Sequence, residues 1–129
     1  MSSSPSHEFL VISRGKWDAN APKEEIEAAI GRFYEWIERC IEEGRMKGGS
    51  RLKREGALVS RGGIVTDAPL TETKEVIGGY WFIVADSLES AAQLAAENPC
   101  LAYGIELEIR PLEPERASVY ALTNETPVS

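Results

Sequence analysis

The hydrophobic positions of this chain follow two periods, and the switches between them predict the order of its elements. Residues 9–12 form a run of β-branched and aromatic residues, which predicts a strand. Apolar residues spaced three or four apart then predict a helix over 22–43, with Pro22 at its first position and Gly44 as its stop. Its apolar stripe, of the kind that faces a core, consists of Ile26, Ile30, Phe33, Ile37 and Ile41.

A hairpin and a long apolar strand follow this helix. Weaker strand patterns cover residues 46–52 and 57–60, and Gly62-Gly63 predicts a tight turn into a further strand at 64–66. Residues 80–85 are apolar at every position, which predicts a strand that is covered on both faces.

A second strand–helix–strand unit ends the ordered part of the chain. Asp86 or Ser87 is placed to cap a helix over 88–96, Glu89 completes a capping box with Asp86, and Asn98-Pro99 ends the helix. In the last strand apolar residues alternate with charged ones, which indicates one buried and one polar face. The apolar positions are Ile105, Leu107 and Ile109, and the charged positions are Glu106, Glu108 and Arg110.

A single domain with two less ordered ends accounts for the 129 residues. Residues 1–7 are a serine-rich leader that we expect to be disordered, and residues 8–112 form the domain. Residues 113–129 are a proline- and threonine-rich extension that we expect to be partly disordered. Within it, residues 119–122 could add a short strand.

The predicted order is strand–helix–strand, a β-hairpin insertion, and strand–helix–strand again. This is the ferredoxin-like, split βαβ plan of an α+β protein, in which an antiparallel sheet carries both helices on one face. The helix-free face would then expose three large side chains of the strand at 80–85, which a monomer seldom tolerates. We therefore expect a homodimer whose two sheets face each other around a two-fold axis.

Composition and charge exclude several classes of partner. The chain is 43% hydrophobic and 27% charged, as in ordinary soluble globular proteins, and has a net charge of −7 and a pI near 4.8. This charge argues against nucleic acid and anionic membranes as partners. The one set of residues that could form a local basic patch consists of Arg45, Lys47, Arg51, Lys53 and Arg54. No apolar run approaches the ~20 residues that span a bilayer and no secretory signal is evident, so we expect a cytoplasmic protein.

The sequence contains no recognisable metal or cofactor motif. Cys40 and Cys100 are far apart and form no C-x-x-C pair, so we expect two buried free thiols. There is no metal-spaced acidic cluster, H-E-x-x-H or G-x-S-x-G motif, and we expect no metal and no cofactor. Gly48-Gly49-Ser50 lacks the Lys-Ser/Thr of a phosphate-binding loop.

The segment 67–75 carries the densest set of candidate catalytic residues, directly before the apolar strand. Asp67 precedes Ala-Pro, where aspartate commonly begins a turn by bonding its own backbone; the alternative is a carboxylate in a pocket. If the segment is extended, Glu72 and Lys74 share one face. They form either a solvated or salt-bridged surface, or a pair in the cleft between two sheets, where partial burial would shift pKa values toward a useful range.

Three further residues are candidates for ligand binding. Glu108 and Arg110 would point between the two sheets of the dimer, either as a structural ion pair or as ligand contacts. Tyr80, which opens the apolar strand, is the third. On the first helix, Tyr34 and Trp36 lie off the apolar stripe and form either the wall of a groove or the edge of the core.

The segment that runs from Asp67 to Tyr80 resembles the D-G-P-F-x-E-T-K-E signature of the YCII-related (DGPF-type) proteins. The resemblance covers roughly residues 8–112 and is most specific at Asp67, Pro69, 72–75, 78–80 and 108–111. It implies a dimeric α+β barrel, in agreement with the patterning. Relatives are thought to use a His–Asp pair for small-molecule lyase or dehydrochlorinase chemistry, many members have no assigned activity, and some are encoded beside extracytoplasmic-function sigma factors.

The chain departs from the family pattern in two respects. The signature's glycine and phenylalanine are Ala68 and Leu70 here, so a turn that relies on the positive φ of glycine would be altered. The histidine of the His–Asp pair has no counterpart, because the single histidine, His7, lies in the leader before the first strand. An enzymatic function loses support, since histidine is the usual proton-transfer residue near neutral pH.

Two functions are compatible with these residues. The first is a small-molecule binding protein or weak enzyme with a pocket between the sheets of a homodimer. If it is catalytic, it would use lyase- or isomerase-like proton transfer through Asp67, Glu72 and Lys74. The alternative is a non-catalytic regulatory or interaction module, linked to a sigma factor as the resemblance implies. The lack of a usable histidine favours the second function, and a deep polar cavity would favour the first.

Overall fold

The elements follow the predicted order in the computed structural model, which describes residues 6–65, 77–114, 120 and 122–124. They are β1 (His7–Arg14), α1 (Lys23–Glu42), β2 (Met46–Arg51), β3 (Leu58–Ser60), β4 (Gly63–Val65), β5 (Ile77–Ala85), α2 (Leu88–Ala95) and β6 (Glu106–Pro111). A short 3₁₀ helix, Pro99–Tyr103, precedes β6 and is absent from the predicted order.

Four strands form one antiparallel sheet in the order β2-β5-β1-β6, and β3 and β4 form a separate hairpin. Within the sheet, Val11 of β1 pairs with Trp81 of β5 on one side and with Ile109 of β6 on the other. The core joins residues of both helices to β1, β2 and β5, so both helices lie on the same face. The predicted α+β fold of two helices, a four-stranded antiparallel sheet and a hairpin is confirmed.

Alternation along β1 and β5 separates two faces of the sheet, which we call the covered face, under the helices, and the open face. The buried side chains of the covered face include Phe9, Val11, Trp81 and Ile83. The corresponding side chains of the open face are half-buried and are those of Leu10, Ile12, Tyr80, Phe82 and Val84. The large side chains expected on the helix-free face are therefore present there.

Helix α1 turns a different side to the sheet from the one its apolar stripe predicts. Its buried residues are Ala29, Trp36 and Cys40, whereas the stripe is half-buried and its last member, Ile41, is 41% exposed. At 3.6 residues per turn, the stripe is centred about 80° around the helix axis from the buried residues. Trp36 is 5% exposed, and its indole buries more apolar surface than an isoleucine can, which favours this orientation.

The helix ends agree with the predictions at Gly44 and at Ser87, which is one of the two predicted N-caps of α2, and differ at Pro22 and Asp86. Pro22 is the N-cap of α1, with extended backbone angles, rather than its first helical residue. Gly44 takes a φ of +76° after α1, as its position at the predicted stop requires. The predicted capping box at Asp86 is wrong, because Ser87 caps α2 and accepts a hydrogen bond of 3.0 Å from the backbone N–H of Ser90.

The hairpin of β3 and β4 stands apart from the main sheet. Its turn is at Arg61 and Gly62, and the positive φ is at Gly63, at +120°. Among the described residues, β3 pairs only with β4. Three large apolar side chains of the hairpin are exposed, those of Leu58, Val59 and Ile64.

The structure departs from two predictions at the chain ends. His7 is the first residue of β1 and pairs with Ala85, so its assignment to the leader is wrong. Of the short strand predicted at 119–122, Tyr120 and Leu122 are not in a strand, and the other two positions lie outside the described residues. No helix in the described parts of the chain is long and apolar enough to cross a membrane.

Candidate functional site

A cavity of about 710 Å³ lies between α1 and the covered face of the sheet. It lies at the end of the sheet where β1 and β2 finish and β5 begins. Ser13, Arg51 and Ile77, which are at these strand ends, all line it. Ile105, directly before β6, closes the same end. The predicted pocket was placed between two sheets on the open face; the cavity of the single chain is on the opposite side of the sheet.

The apolar stripe of α1 forms the wall of this cavity. The lining residues contributed by α1 are Ile30, Phe33, Tyr34, Ile37 and Ile41. The ring of Phe33 packs edge-on against Trp81 of β5, with 5.3 Å between ring centroids, and against Tyr34 at 5.1 Å. Residues that the sequence pattern assigns to the core thus surround a space large enough for a small molecule.

A bulge in β2 shapes the floor of the cavity. Lys47 pairs with Phe82 and Ser50 with Tyr80, so the two residues Gly48 and Gly49 together lie opposite Trp81. Glycine is required at the second of these positions, because a Cβ on Gly49 would overlap the backbone carbonyl of Tyr80. The glycine pair that resembles a phosphate loop in the sequence therefore has a backbone role.

The bulge also decides which face of the sheet carries Arg51. In a regular strand, Arg51 and Lys47 are four residues apart and would point to the same face. The extra residue moves Arg51 into register with Gly79, on the covered face, while Lys47 stays on the open face. There the Arg51 guanidinium donates a hydrogen bond of 3.0 Å from Nη1 to the Tyr34 hydroxyl of α1.

The rim of the cavity is cationic. Its charged lining residues are Lys16, Arg51, Lys53 and Arg54, and the described lining contains no aspartate or glutamate. Lys53 approaches Glu55 at 3.8 Å, with both side chains well exposed. Among the residues that the structure describes, Lys16, Arg51 and Arg54 form no ion pair. No described acid therefore neutralises their positive charge.

The base of the cavity holds a buried amide and a buried thiol. Asn98, 4% exposed, accepts a hydrogen bond of 2.8 Å from the backbone N–H of Cys100. Burial raises the pKa of the Cys100 thiol, so it stays protonated near neutral pH and is a poor nucleophile. Cys40, outside the cavity, is also a buried free thiol whose pKa burial raises, as expected for both cysteines.

The open face pairs its charges. Arg14 contacts Glu108 at 2.6 Å, with each side chain about one-third exposed, and Arg110 contacts the same carboxylate at 3.2 Å. Lys47 pairs with Glu8 at 2.8 Å. Of the predicted ligand-binding residues, Glu108 and Arg110 therefore form the ion pair that was the structural alternative. The Tyr80 side chain lies on the same face, separated from Glu108 by Ile12 of β1, and packs edge-on against Phe82. Tyr80 is nevertheless one of the residues that line the cavity, so this predicted ligand-binding residue is at the site.

The remaining candidates either lie outside the described residues or are far from the cavity. Asp67, Glu72 and Lys74 lie outside the described part of the chain, and their assignment stays a prediction. His7 and Arg14 are at opposite ends of β1, about 23 Å apart at the usual rise of a strand, so His7 lies far from the cavity. Within the described ranges, no three His, Cys, Asp or Glu side chains are grouped so as to hold a metal ion.

Sequence reasoning located the rim cations only in part. The basic set at 45–54 was noted as one candidate patch, but the fold divides it. Arg45 pairs with Glu43 at 2.7 Å and Lys47 with Glu8, while the last three members line the cavity. Lys16, in the loop after β1, was missed, and no motif around it points to a site. The Gly48-Gly49 pair was the available signal for the bulge.

Comparison with known families gives a match that covers most of the chain, including the signature segment. The model of the YCII-related domain matches residues 8–113, which is most of the chain and includes both helices and all of the sheet except His7, the first residue of β1. A comparison with curated proteins finds no match. The chain therefore belongs to the family of YCII-related domain proteins.

Proposed function

We propose that this protein binds a small molecule in the cavity between α1 and the covered face of the sheet. The observation that supports this most is that four of the five residues of the apolar stripe of α1 line a cavity of about 710 Å³, although Phe33 and Ile37 also pack against the core. That volume is within the range of about 300–1,000 Å³ typical of ligand sites. A ligand with an apolar body would remove the stripe from water, and its binding would stabilise the fold.

Binding is better supported than catalysis. The described lining contains no histidine or carboxylate, and its one thiol is held protonated by burial. Proton transfer through Asp67, Glu72 and Lys74 remains a hypothesis with its own test. If Glu72 and Lys74 serve a pocket, replacing them together by Gln and Met should abolish ligand binding and leave stability unchanged or slightly higher. A coupled loss of about 1–3 kcal/mol in the two single variants would instead assign them a structural role.

We also propose that the protein is a homodimer joined through the open face, which would create the α+β barrel. Five half-buried apolar side chains lie there, and no described helix covers them. Paired charges at Lys47–Glu8 and Arg14–Glu108 border this patch, as in interfaces with an apolar centre and a polar rim. In such a dimer, the cavity stays on the outer, helix-bearing side of each sheet.

The binding proposal is tested by filling the cavity. Ile30 and Ile26 belong to the same stripe of α1 and are both half-buried, but only Ile30 lines the cavity. We expect N-phenyl-1-naphthylamine, a neutral aromatic fluorophore, to bind saturably to the parent protein at one site per chain. Ile30→Trp should reduce this binding strongly, and Ile26→Trp should leave it unchanged. No saturable binding, or equal binding by the parent protein and Ile30→Trp, would overturn the proposal.

A further inference from the structure

We infer that the ligand of the cavity is an anion with an apolar, preferably aromatic, body and that its charged group binds at Arg51. The inference rests on the proposed binding function and adds the chemical class of the ligand. Carboxylates, sulfonates and phosphate monoesters attached to a ring system belong to this class.

The charge of the lining is the first observation behind this inference. Four cations and no acid line the cavity within the described residues, although acids outnumber bases by 21 to 14 in the whole chain. A rim of one sign in a chain of the opposite net charge concentrates positive potential at one place. A neutral ligand would leave this potential unused, and a cationic ligand would be repelled by it.

The placement of Arg51 is the second observation. The bulge at Gly48 and Gly49 turns Arg51 to the covered face, and the Tyr34 hydroxyl holds its guanidinium above the aromatic wall. Among the described residues no acid pairs with Arg51, so none of them compensates its positive charge. A guanidinium has five N–H donors and matches the two oxygens of a carboxylate or phosphate. Its donors that bind no described residue are those that would take an anion.

The wall of the cavity indicates what the rest of the ligand is like. Behind Arg51 lie the rings of Tyr34, Phe33 and Trp81, packed edge to face, and beside them the isoleucines of α1. Aromatic rings bind other rings through offset or edge-on contacts. A ligand with several separated charges would have to desolvate some of them against this wall, which is costly. One charged group at the rim and an apolar ring system inside fit the site.

The test uses two fluorophores that share a ring system and differ in charge. 8-Anilinonaphthalene-1-sulfonate carries one sulfonate, and N-phenyl-1-naphthylamine carries none. We expect the sulfonate probe to bind the parent protein more tightly than the neutral probe, and its affinity to fall as salt is raised. Arg51→Gln should weaken the sulfonate probe at least about tenfold, since a hydrogen bond to a charged group is lost, and should change the affinity of the neutral probe little.

Lys47 supplies the matched control. It is a cation on the same strand, but it lies on the open face and pairs with Glu8. Lys47→Gln should leave the affinity of the sulfonate probe unchanged, and Arg51→Lys should restore part of the affinity lost in Arg51→Gln. Competition by 1-naphthoate and by 1-naphthyl phosphate then distinguishes carboxylate from phosphate ligands within the class.

The outcomes separate this inference from the function on which it rests. If both probes bind equally and Arg51→Gln affects neither, the ligand class is wrong while the binding cavity stands. If neither probe binds the parent protein, the proposed function itself fails. If Lys47→Gln weakens the sulfonate probe as much as Arg51→Gln, the anion is bound through net surface charge, and the assignment to Arg51 is overturned.

Discussion

Lys47 and Arg51 stand four residues apart on β2, yet they belong to different parts of the molecule. Lys47 lies on the open face and forms an ion pair with Glu8, whereas Arg51 lies on the covered face and contacts a neutral hydroxyl at the mouth of a cavity. The same contrast holds for the two faces as a whole. The described cations of the open face are paired with acids, and three of the four cations at the cavity rim form no ion pair within the described residues.

If the proposed function is right, this difference separates cations that contribute modestly to stability from cations that bind a ligand. A paired cation gains its interaction on folding, so its removal costs stability. An unpaired cation near an apolar wall gains little on folding and becomes useful when an anion arrives. Lys47 and Arg51 both carry one positive charge, so charge does not distinguish them. The presence or absence of an acidic partner does.

The largest expected effect comes from removing the bulge that produces the contrast. In Gly49→Ala, the new methyl group would overlap the carbonyl of Tyr80 in the neighbouring strand. We expect the free energy of unfolding to fall by at least about 2 kcal/mol, measured by urea denaturation. Gly31→Ala is the control: nothing lies within 4 Å of the new methyl group in the exposed middle of α1, and alanine should stabilise the helix by about 0.5–1 kcal/mol. Equal effects of the two substitutions would contradict the assignment of the bulge.

The next effect concerns the open face and the association of two chains. Leu10→Asp places a charge in the centre of the apolar patch, beside Phe82 and Arg110. Sedimentation of the parent protein at micromolar concentration should give a mass of twice 14.2 kDa, and the variant should sediment as a monomer. Binding of the neutral probe should survive in the variant, because the cavity lies on the other side of the sheet. A folded monomeric parent protein would falsify the dimer.

A smaller effect distinguishes the two kinds of cation directly. Glu108→Gln removes the carboxylate that Arg14 and Arg110 share, both partly exposed, and should lower the free energy of unfolding by about 1 kcal/mol. Arg51→Gln should change stability by less than about 0.5 kcal/mol while it weakens the anionic probe. Thermal denaturation of both variants should show the larger loss of stability in Glu108→Gln, and probe titration should show the larger loss of affinity in Arg51→Gln. If Arg51→Gln lost more stability than Glu108→Gln, the distinction between paired cations of the open face and unpaired cations of the cavity rim would be wrong.

The smallest effect is a dependence of stability on alkaline pH. Burial raises the pKa of the thiols of Cys40 and Cys100, so the folded chain binds their protons more tightly than the unfolded chain does. This stabilisation is complete below the ordinary thiol pKa of 9.0 and is lost as pH rises through the raised values. Unfolding measured between pH 8 and about 10.5 should show a steeper fall for the parent protein than for the variant with both cysteines replaced by alanine. Parallel curves would contradict the burial of the thiols.

The fold could be predicted from the sequence because its signals are local. The spacing of apolar residues in α1, the unbroken apolar strand at 80–85 and the alternation at 105–110 each identify one element. The glycines at 44 and 63 mark a helix end and a turn through their positive φ angles. Together these patterns suffice for the element order and for the antiparallel sheet with its hairpin.

The site was harder to predict because it depends on two features that periodicity does not contain. Strict alternation puts Lys47 and Arg51 on the same face, and only the pairing of β2 with β5 reveals the extra residue between them. The stripe of α1 is only half-buried, because Trp36 takes the most buried position of the helix, and the stripe lies at the boundary between the core and the cavity. The charged alternation of β6 left two alternatives for Glu108 and Arg110, and the structure contains the ion pair, which was one of them.

The isoleucine methyl groups offer the most direct test of which face of the sheet binds the ligand. Ile30, Ile37 and Ile41 line the cavity, Ile12 lies on the open face and Ile64 on the exposed hairpin. A titration with 8-anilinonaphthalene-1-sulfonate, followed by proton–carbon NMR of the isoleucine δ1 methyl groups, would report on all three places at once. We predict saturable shifts at the cavity methyl groups and none at Ile12 or Ile64. Shifts at Ile12 or Ile64 with the cavity methyl groups unmoved would contradict the assignment of the covered face as the binding site.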